Sequence, residues 1–154
     1  MEICKVDEDE MKEILGEIID VYRDGYQGME MYAYRRRRDI KNYLKWLYRC
    51  DNQAFLVCFE DKKIIGFISG ARNWWDRVYG DIGEIHELVV RKEFQGRGIG
   101  KRLLEEELKI LRRGNRFIGL WVGERNYRAI RFYESFGFRR VGKVGVWLRM
   151  IKEC

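Results

Sequence analysis

The chain of 154 residues has no proline, a single histidine and four cysteines, none close enough to another to form a CxxC pair. A zinc site needs clustered Cys and His ligands, so this spacing excludes one, and no metal is expected. No apolar run reaches the roughly 18 residues of a membrane span. The N-terminus, MEICKVDEDEM, turns acidic where a secretion signal would turn apolar. There is no internal repeat, no Pro- or Ser-rich linker and no low-complexity tract. These absences lead to the expectation of one globular domain over residues 1–154, located in the cytoplasm, with no membrane partner. Aromatic residues, by contrast, are plentiful: five Trp, nine Tyr and eight Phe. A disordered chain lacks such residues, and these suffice for a packed core.

Charge is unevenly spread. The whole chain is at +6, but residues 1–90 carry 14 basic and 18 acidic groups, whereas residues 91–154 carry 17 and 7. A basic C-terminal half suits an anionic partner, either nucleic acid or a phosphate-rich small molecule; the alternative is a merely solvated basic surface.

The pattern of elements is a mixed α/β alternation, β-αα-β-β-β-α-β-α-β-β. EICKV reads as a short strand, and Asp7 caps a helix running to about Asp24, with Met11, Ile14, Leu15, Ile18, Ile19 and Tyr22 at helical spacing. A second helix is predicted over 35–49. AFLVCF and KIIGFISGA flank the polar turn EDKK, a hairpin signal, and 73–81 reads as a loop before the strand IGEIHELVV. QGRGIG then opens a helix to about Arg113, followed by the strand RFIGLWV, a short helix from Asn126 to about Phe136, and two closing strands. The expected fold class is α/β, with a mixed, mostly antiparallel sheet covered by helices on both faces.

The segment EIHELVVRKEFQGRGIGKRLL is the most informative. A buried strand runs into a basic, glycine-rich turn that opens an amphipathic helix. Backbone N–H groups at such a turn point outward, and the helix N-terminus adds partial positive charge. Gly96, Gly98 and Gly100 let a phosphate approach the backbone, and Arg97, Lys101 and Arg102 add charge. Gly100-Lys101 is followed by Arg102, not Ser or Thr, so the turn is not a Walker A loop. Its GxGxG spacing also fails the dinucleotide fingerprint.

Gln95-Gly96-Arg97-Gly98-Ile99-Gly100 resembles the [QR]xxGx[GA] signature of the GNAT N-acetyltransferases, and NYRAIRFYESFGF (Asn126–Phe138) resembles their NxxAxxFYExxGF segment. The element order is similar to that fold over essentially the whole chain; Lys92, where many members carry Pro, is a departure confined to the turn. The resemblance implies acetyl-coenzyme A as co-substrate and transfer of its acetyl group to an amine acceptor. It implies coenzyme binding by Gln95, Gly96, Arg97, Gly98, Ile99, Gly100 and Lys101, by the backbone of Leu88, Val89 and Val90 where this strand parts from RFIGLWV, and by Asn126. It places the general acid at Tyr133, which would protonate the departing thiolate.

For the general base, the strand offers Glu84, His86 and Glu87. Simple alternation puts Glu84 and His86 on one face and Glu87 on the other, where it would pair with Arg or Lys. Glu84 has the family's spacing from Gln95 and is favoured; some members place the base two residues later, at His86. The acceptor groove is expected from the segment after the first helix (Tyr26, Met29, Met31, Tyr32, Tyr34) and from the loop before the Glu84 strand (Trp74, Trp75, Tyr79). An aromatic groove with few acids suits a protein N-terminus or a small amphipathic amine. Three alternatives stay open: an aminoglycoside-type acceptor, an RNA- or ribosome-associated module using Arg35–Arg38, and a homodimer contact formed by the two Trp residues.

Overall fold

A computed structural model of the chain describes residues 1–154. Seven strands form one sheet in the order β1-β2-β3-β4-β5-β7-β6. The elements follow the chain as β1 (Glu2–Lys5), α1 (Glu8–Gly25), α2 (Arg37–Cys50), β2 (Phe55–Glu60), β3 (Lys63–Asp76), β4 (Gly80–Val90), α3 (Ile99–Leu111), β5 (Phe117–Gly123), α4 (Tyr127–Ser135), β6 (Arg139–Val144) and β7 (Trp147–Glu153). Every neighbouring pair is antiparallel except β4 and β5. The α/β class and the mixed sheet match the expectation from sequence.

Local chemistry accounts for the helices. Asp7 accepts the Glu10 N–H and Glu10 reaches back to the Asp7 N–H, a complete capping box at the start of α1. Met11, Ile18, Ile19 and Tyr22 of α1 and Ile40, Leu44 and Leu47 of α2 are buried against Phe55, Val57, Phe67 and Val89 on one sheet face. On the other face, Leu103, Leu104 and Leu111 of α3 and Ile130 and Tyr133 of α4 pack on Ile68, Ile85, Ile118 and Leu120.

Two features of β4 depart from the sequence reading. Residues 73–81 are not a loop: β3 and β4 continue pairing as far as Asp76 and Gly80, and the Asp76 carboxylate closes the tight turn by accepting the Val78 and Tyr79 N–H groups. Secondly, Ser69 faces Glu87 whereas the next residue, Gly70, faces Ile85, so His86 is the extra residue of a bulge. The bulge breaks the alternation, and Glu87 and His86 both project toward α2: Glu87 reaches Tyr43, and the His86 ring lies against Trp46. Glu87 therefore does not sit on the opposite face from His86, and it has no Arg or Lys partner there.

β4 and β5 pair over only three positions, from Gly83–Ile118 to Ile85–Leu120, and then part. Beyond Ile85 one edge of β4 stays paired with β3, through Leu88, Val89 and Val90 against Ile68, Phe67 and Gly66. The other edge opens into a fork.

Candidate active site

Two cavities meet at this fork. One, of about 790 Å³, runs from the glycine turn along β4 and is lined by Lys92, Gln95, Gly96, Gly98, Gly100, Lys101 and Arg128 at one end and by Leu88, Val89 and Val90 at the other. The second, of about 650 Å³, is walled by aromatic residues from the α1–α2 segment and from β5 and β7. Tyr26, Leu88, Asn126, Ala129 and Tyr133 line both.

The first cavity has the chemistry of an anion site. Gly98 precedes α3 in the left-handed region at φ +82°, and no side chain caps the helix. A Cβ at Gly98 would meet no atom within 4 Å, so the backbone faces open space and the first N–H groups of α3 are free for a ligand. Arg91 donates its N–H to Ile65 of β3. Alternation then turns the Val89 N–H toward β3 as well and aims those of Leu88 and Val90 into the fork. The predicted residues divide by role. The Gln95 side chain is spent on structure: it donates to the Val90 carbonyl at 2.9 Å and accepts from Arg128 at 3.3 Å. The Arg97 guanidinium stacks over the Phe94 ring, and the Ile99 side chain is core. Asn126 caps α4 by accepting the Ala129 N–H and also faces both cavities. Arg128, which nothing local in the sequence sets apart as a ligand, stands beside Gly96 and adds a positive charge to the cradle.

The three candidate bases are separated by the structure. Glu84 does not line either cavity. It is 2% exposed and its carboxylate is held by both terminal nitrogens of Arg149, at 2.7 and 2.9 Å. His86 lines the aromatic cavity between Trp46 and Trp74; both its ring nitrogens are buried without a partner, and burial pushes its pKa down to about 4, so the ring is neutral at pH 7. Glu87 also lines the cavity and accepts from the hydroxyls of Tyr26 and Tyr43, the latter at 2.6 Å. Burial pushes its pKa up to about 7 despite those two hydrogen bonds. Tyr133 is 8% exposed, and burial together with the Glu87 charge raises its pKa, so it holds its proton at neutral pH.

The aromatic cavity is lined by Tyr22, Tyr32, Tyr34, Trp121 and Trp147 among others, and Glu87 is its one acid. Tyr32 lies so close over Gly123 that a Cβ there would overlap its ring, and its hydroxyl accepts the Arg125 N–H. This pins the α1–α2 segment across the end of β5. Met29 lines the other cavity, Trp74 packs against His86 behind the lining, Trp75 is 69% exposed and Tyr79 packs on Phe117, so these four do not line the aromatic one. Trp121 and Trp147 were not anticipated, because nothing local marks a strand aromatic as a cavity wall. Arg35–Arg38 lie outside the linings of both cavities.

The model of the Acetyltransferase (GNAT) family matches residues 15–138. The chain belongs to this family. It is accordingly an acyltransferase of the N-acetyltransferase group. It is similar to an uncharacterized N-acetyltransferase of Archaeoglobus fulgidus, with 44% identity over 142 residues, 91% of this chain and 94% of that one. The crystal structure of PH1933 from Pyrococcus horikoshii is similar at 44% identity and TM-score 0.91, covering 99% and 98% of the two chains. A PaiA N-acetyltransferase from Thermoplasma acidophilum, solved in complex with coenzyme A, shares the GNAT fold at 24% identity and TM-score 0.73, covering 99% and 98%. No helix of the structure is long and apolar enough to cross a membrane.

Proposed function

We propose that this GNAT protein transfers the acetyl group of acetyl-coenzyme A to a primary amine carried on an apolar or aromatic group, such as a protein N-terminus with a bulky apolar first residue. The observation that carries the reading is the meeting of the two cavities at the fork, one basic and glycine-edged, the other aromatic with a single buried carboxyl group. The fit to the co-substrate rests on the open backbone at Gly98. The α3 N-terminus, Lys101 and Arg128 would hold the pyrophosphate, and the fork-facing N–H groups of Leu88 and Val90 would receive the pantetheine amides and the acetyl carbonyl oxygen. Bound there, the thioester supplies the activated acetyl group.

Glu87 rather than Glu84 is our candidate base. A carboxyl group titrating near 7 accepts a proton from an ammonium at neutral pH far better than an imidazole at about 4, and Glu84 is committed to Arg149. His86 would orient the acceptor or a bridging water. Tyr133 would give its proton to the departing sulfur. The aromatic walls exclude water and carry no second acid, which disfavours polyamines and aminoglycosides: each extra ammonium would be desolvated without a partner. Aromatic faces do attract one cation.

The test is thiol release from acetyl-coenzyme A with a panel of acceptors. Peptides beginning with Met, Leu or Phe should exceed those beginning with Gly or Ser by about tenfold in kcat/KM, the gain expected for filling an apolar pocket. Spermidine and kanamycin should be poor acceptors. Preference for either polycation would overturn the acceptor assignment while leaving the reaction class intact.

A further inference from the structure

The Glu84–Arg149 pair lies at the point where β4 and β5 separate. Glu84 is the partner of Gly119 on the second of the three β4–β5 rungs, and Arg149 is the partner of Trp121, two residues further along β5. The guanidinium thus reaches from β7 across β5 to β4. Its Nη1 and Nη2 meet the two Glu84 oxygens at 2.7 and 2.9 Å, and Nη2 also meets Asp76 Oδ1 at 2.9 Å. Asp76 in turn holds the β3–β4 turn through two N–H groups. The crossing is possible only because position 119 has no side chain: a Cβ there would lie 2.5 Å from Arg149 Nη2 and 2.8 Å from Glu84 Oε1. The guanidinium carbon also sits 4.9 Å from the centre of the Trp121 ring, a wall of the aromatic cavity.

We infer that Glu84, Arg149 and Asp76 form a clamp across Gly119 that fixes how far β4 and β5 part and aligns the Trp121 wall with the fork-facing edge of β4. Glu84 and Arg149 are then positioning residues for the transfer. The inference rests on the reading of the fork as the place where thioester and amine meet. Three parallel rungs are a weak hinge for two strands that must stay apart. Apolar packing would hold the layers together without fixing this distance, whereas a two-point guanidinium–carboxylate contact is directional and short. A buried pair of this kind adds little net stability over an apolar replacement of similar volume, so its value here is geometric.

That property supplies the test. The double variant Glu84→Leu with Arg149→Met removes the buried ion pair with little change in volume; Asp76 Oδ2 keeps its two turn N–H groups, and Oδ1 of this half-buried carboxylate exchanges Arg149 for water. It should melt at or above the wild-type temperature and bind coenzyme A within about threefold of wild type, as expected for an apolar replacement of the pair. Its kcat should fall about 10- to 100-fold, the effect of misplacing reacting groups by about an ångström. The pH midpoint of kcat/KM should not move. Amide exchange at Ile85 and Gly119, on the three β4–β5 rungs, should quicken about tenfold relative to β2 and β3, reporting a looser fork. Wild-type kcat together with wild-type exchange would overturn the clamp. So would a Glu84→Gln variant of unchanged melting temperature that loses the rising limb of the pH profile, because Glu84 would then be the base. If the double variant does not fold, Gly119→Ala forces the pair apart by its Cβ alone and should give the same drop in kcat and the same faster exchange. If the wild-type protein releases no thiol with any acceptor, the transfer reading fails, and the exchange rates alone decide whether the fork is clamped.

Discussion

Glu87 shows how one side chain acquires a working proton affinity. Its carboxyl group is buried on a bulged strand, and desolvation lifts its pKa to about 7, while the Tyr26 and Tyr43 hydroxyls keep the carboxylate accessible by hydrogen bonding to it. Both phenols are themselves pushed well above their ordinary value by burial and by the Glu87 charge, so they remain donors. Glu87→Gln is nearly isosteric and cannot take a proton. Its kcat/KM at pH 7 should fall about 100-fold, the usual contribution of a general base, and recover as rising pH supplies free amine. The wild-type profile should rise through an apparent pKa near 7, and a wild-type profile in the Gln variant would remove Glu87 from the mechanism. Tyr133→Phe keeps the ring and its packing against Phe132 and Phe138 but has no proton to give. Steady-state kinetics should show kcat down by about 100-fold with coenzyme A affinity little changed. Loss of affinity and fold together would make the residue structural.

Among the elements, α3 and the fork carry the proposed coenzyme side. The N-terminus of α3 is uncapped by any side chain and begins at a left-handed Gly98 facing open space. A helix start in this form leaves several N–H groups to a ligand, and the Lys101 and Arg128 charges around it add long-range attraction. Gly98→Glu puts a β-carbon on a backbone that disfavours one and a carboxylate into the cradle. Calorimetry should find coenzyme A binding abolished. Retained affinity would show that the phosphates bind elsewhere. The fork depends on pairing that stops: β4 gives β5 three rungs, then turns the Leu88 and Val90 N–H groups toward empty space. An unpaired edge in mid-sheet is tolerable where water or a ligand satisfies it.

For the whole molecule, the two titrating groups beside the cavity act on stability in opposite directions. The folded pKa of Glu87, about 7, lies above the ordinary carboxylate value, so its contribution is fully present below about pH 4.5 and is lost as pH rises through 7. That of His86, about 4, lies below the ordinary imidazole value, so its contribution is present above about 6.5 and is lost as pH falls toward 4. Between these limits the two groups cost stability whichever way pH moves. Glu87→Gln removes one side of this balance. Urea melts should show the variant stabilised relative to wild type at pH 8, by up to about 3 kcal/mol, and close to it at pH 4. An equal difference at both pH values would mean that Glu87 titrates normally in the folded state.

The amino-acid sequence by itself determined the element order, the Asp7 capping box, the helix stripes, the glycine turn and the Asn126 cap, because each depends on residues a few positions apart whose preferences act locally. The two motifs around Gly98 and Tyr133 carried the family for the same reason. Only the tertiary structure decided which acid faces the cleft. The bulge at His86 depends on how β4 registers against β3, and one extra residue moves Glu87 onto the face that strict alternation assigns to Glu84 and His86. The Arg149 that occupies Glu84 comes from 65 positions away in sequence, and its path exists because Gly119, on a third strand, leaves the space. The Trp121 and Trp147 walls are likewise set by strand order, with β7 inserted between β5 and β6. Register, insertion order and close approach arise from contacts between distant segments, and no local preference encodes them.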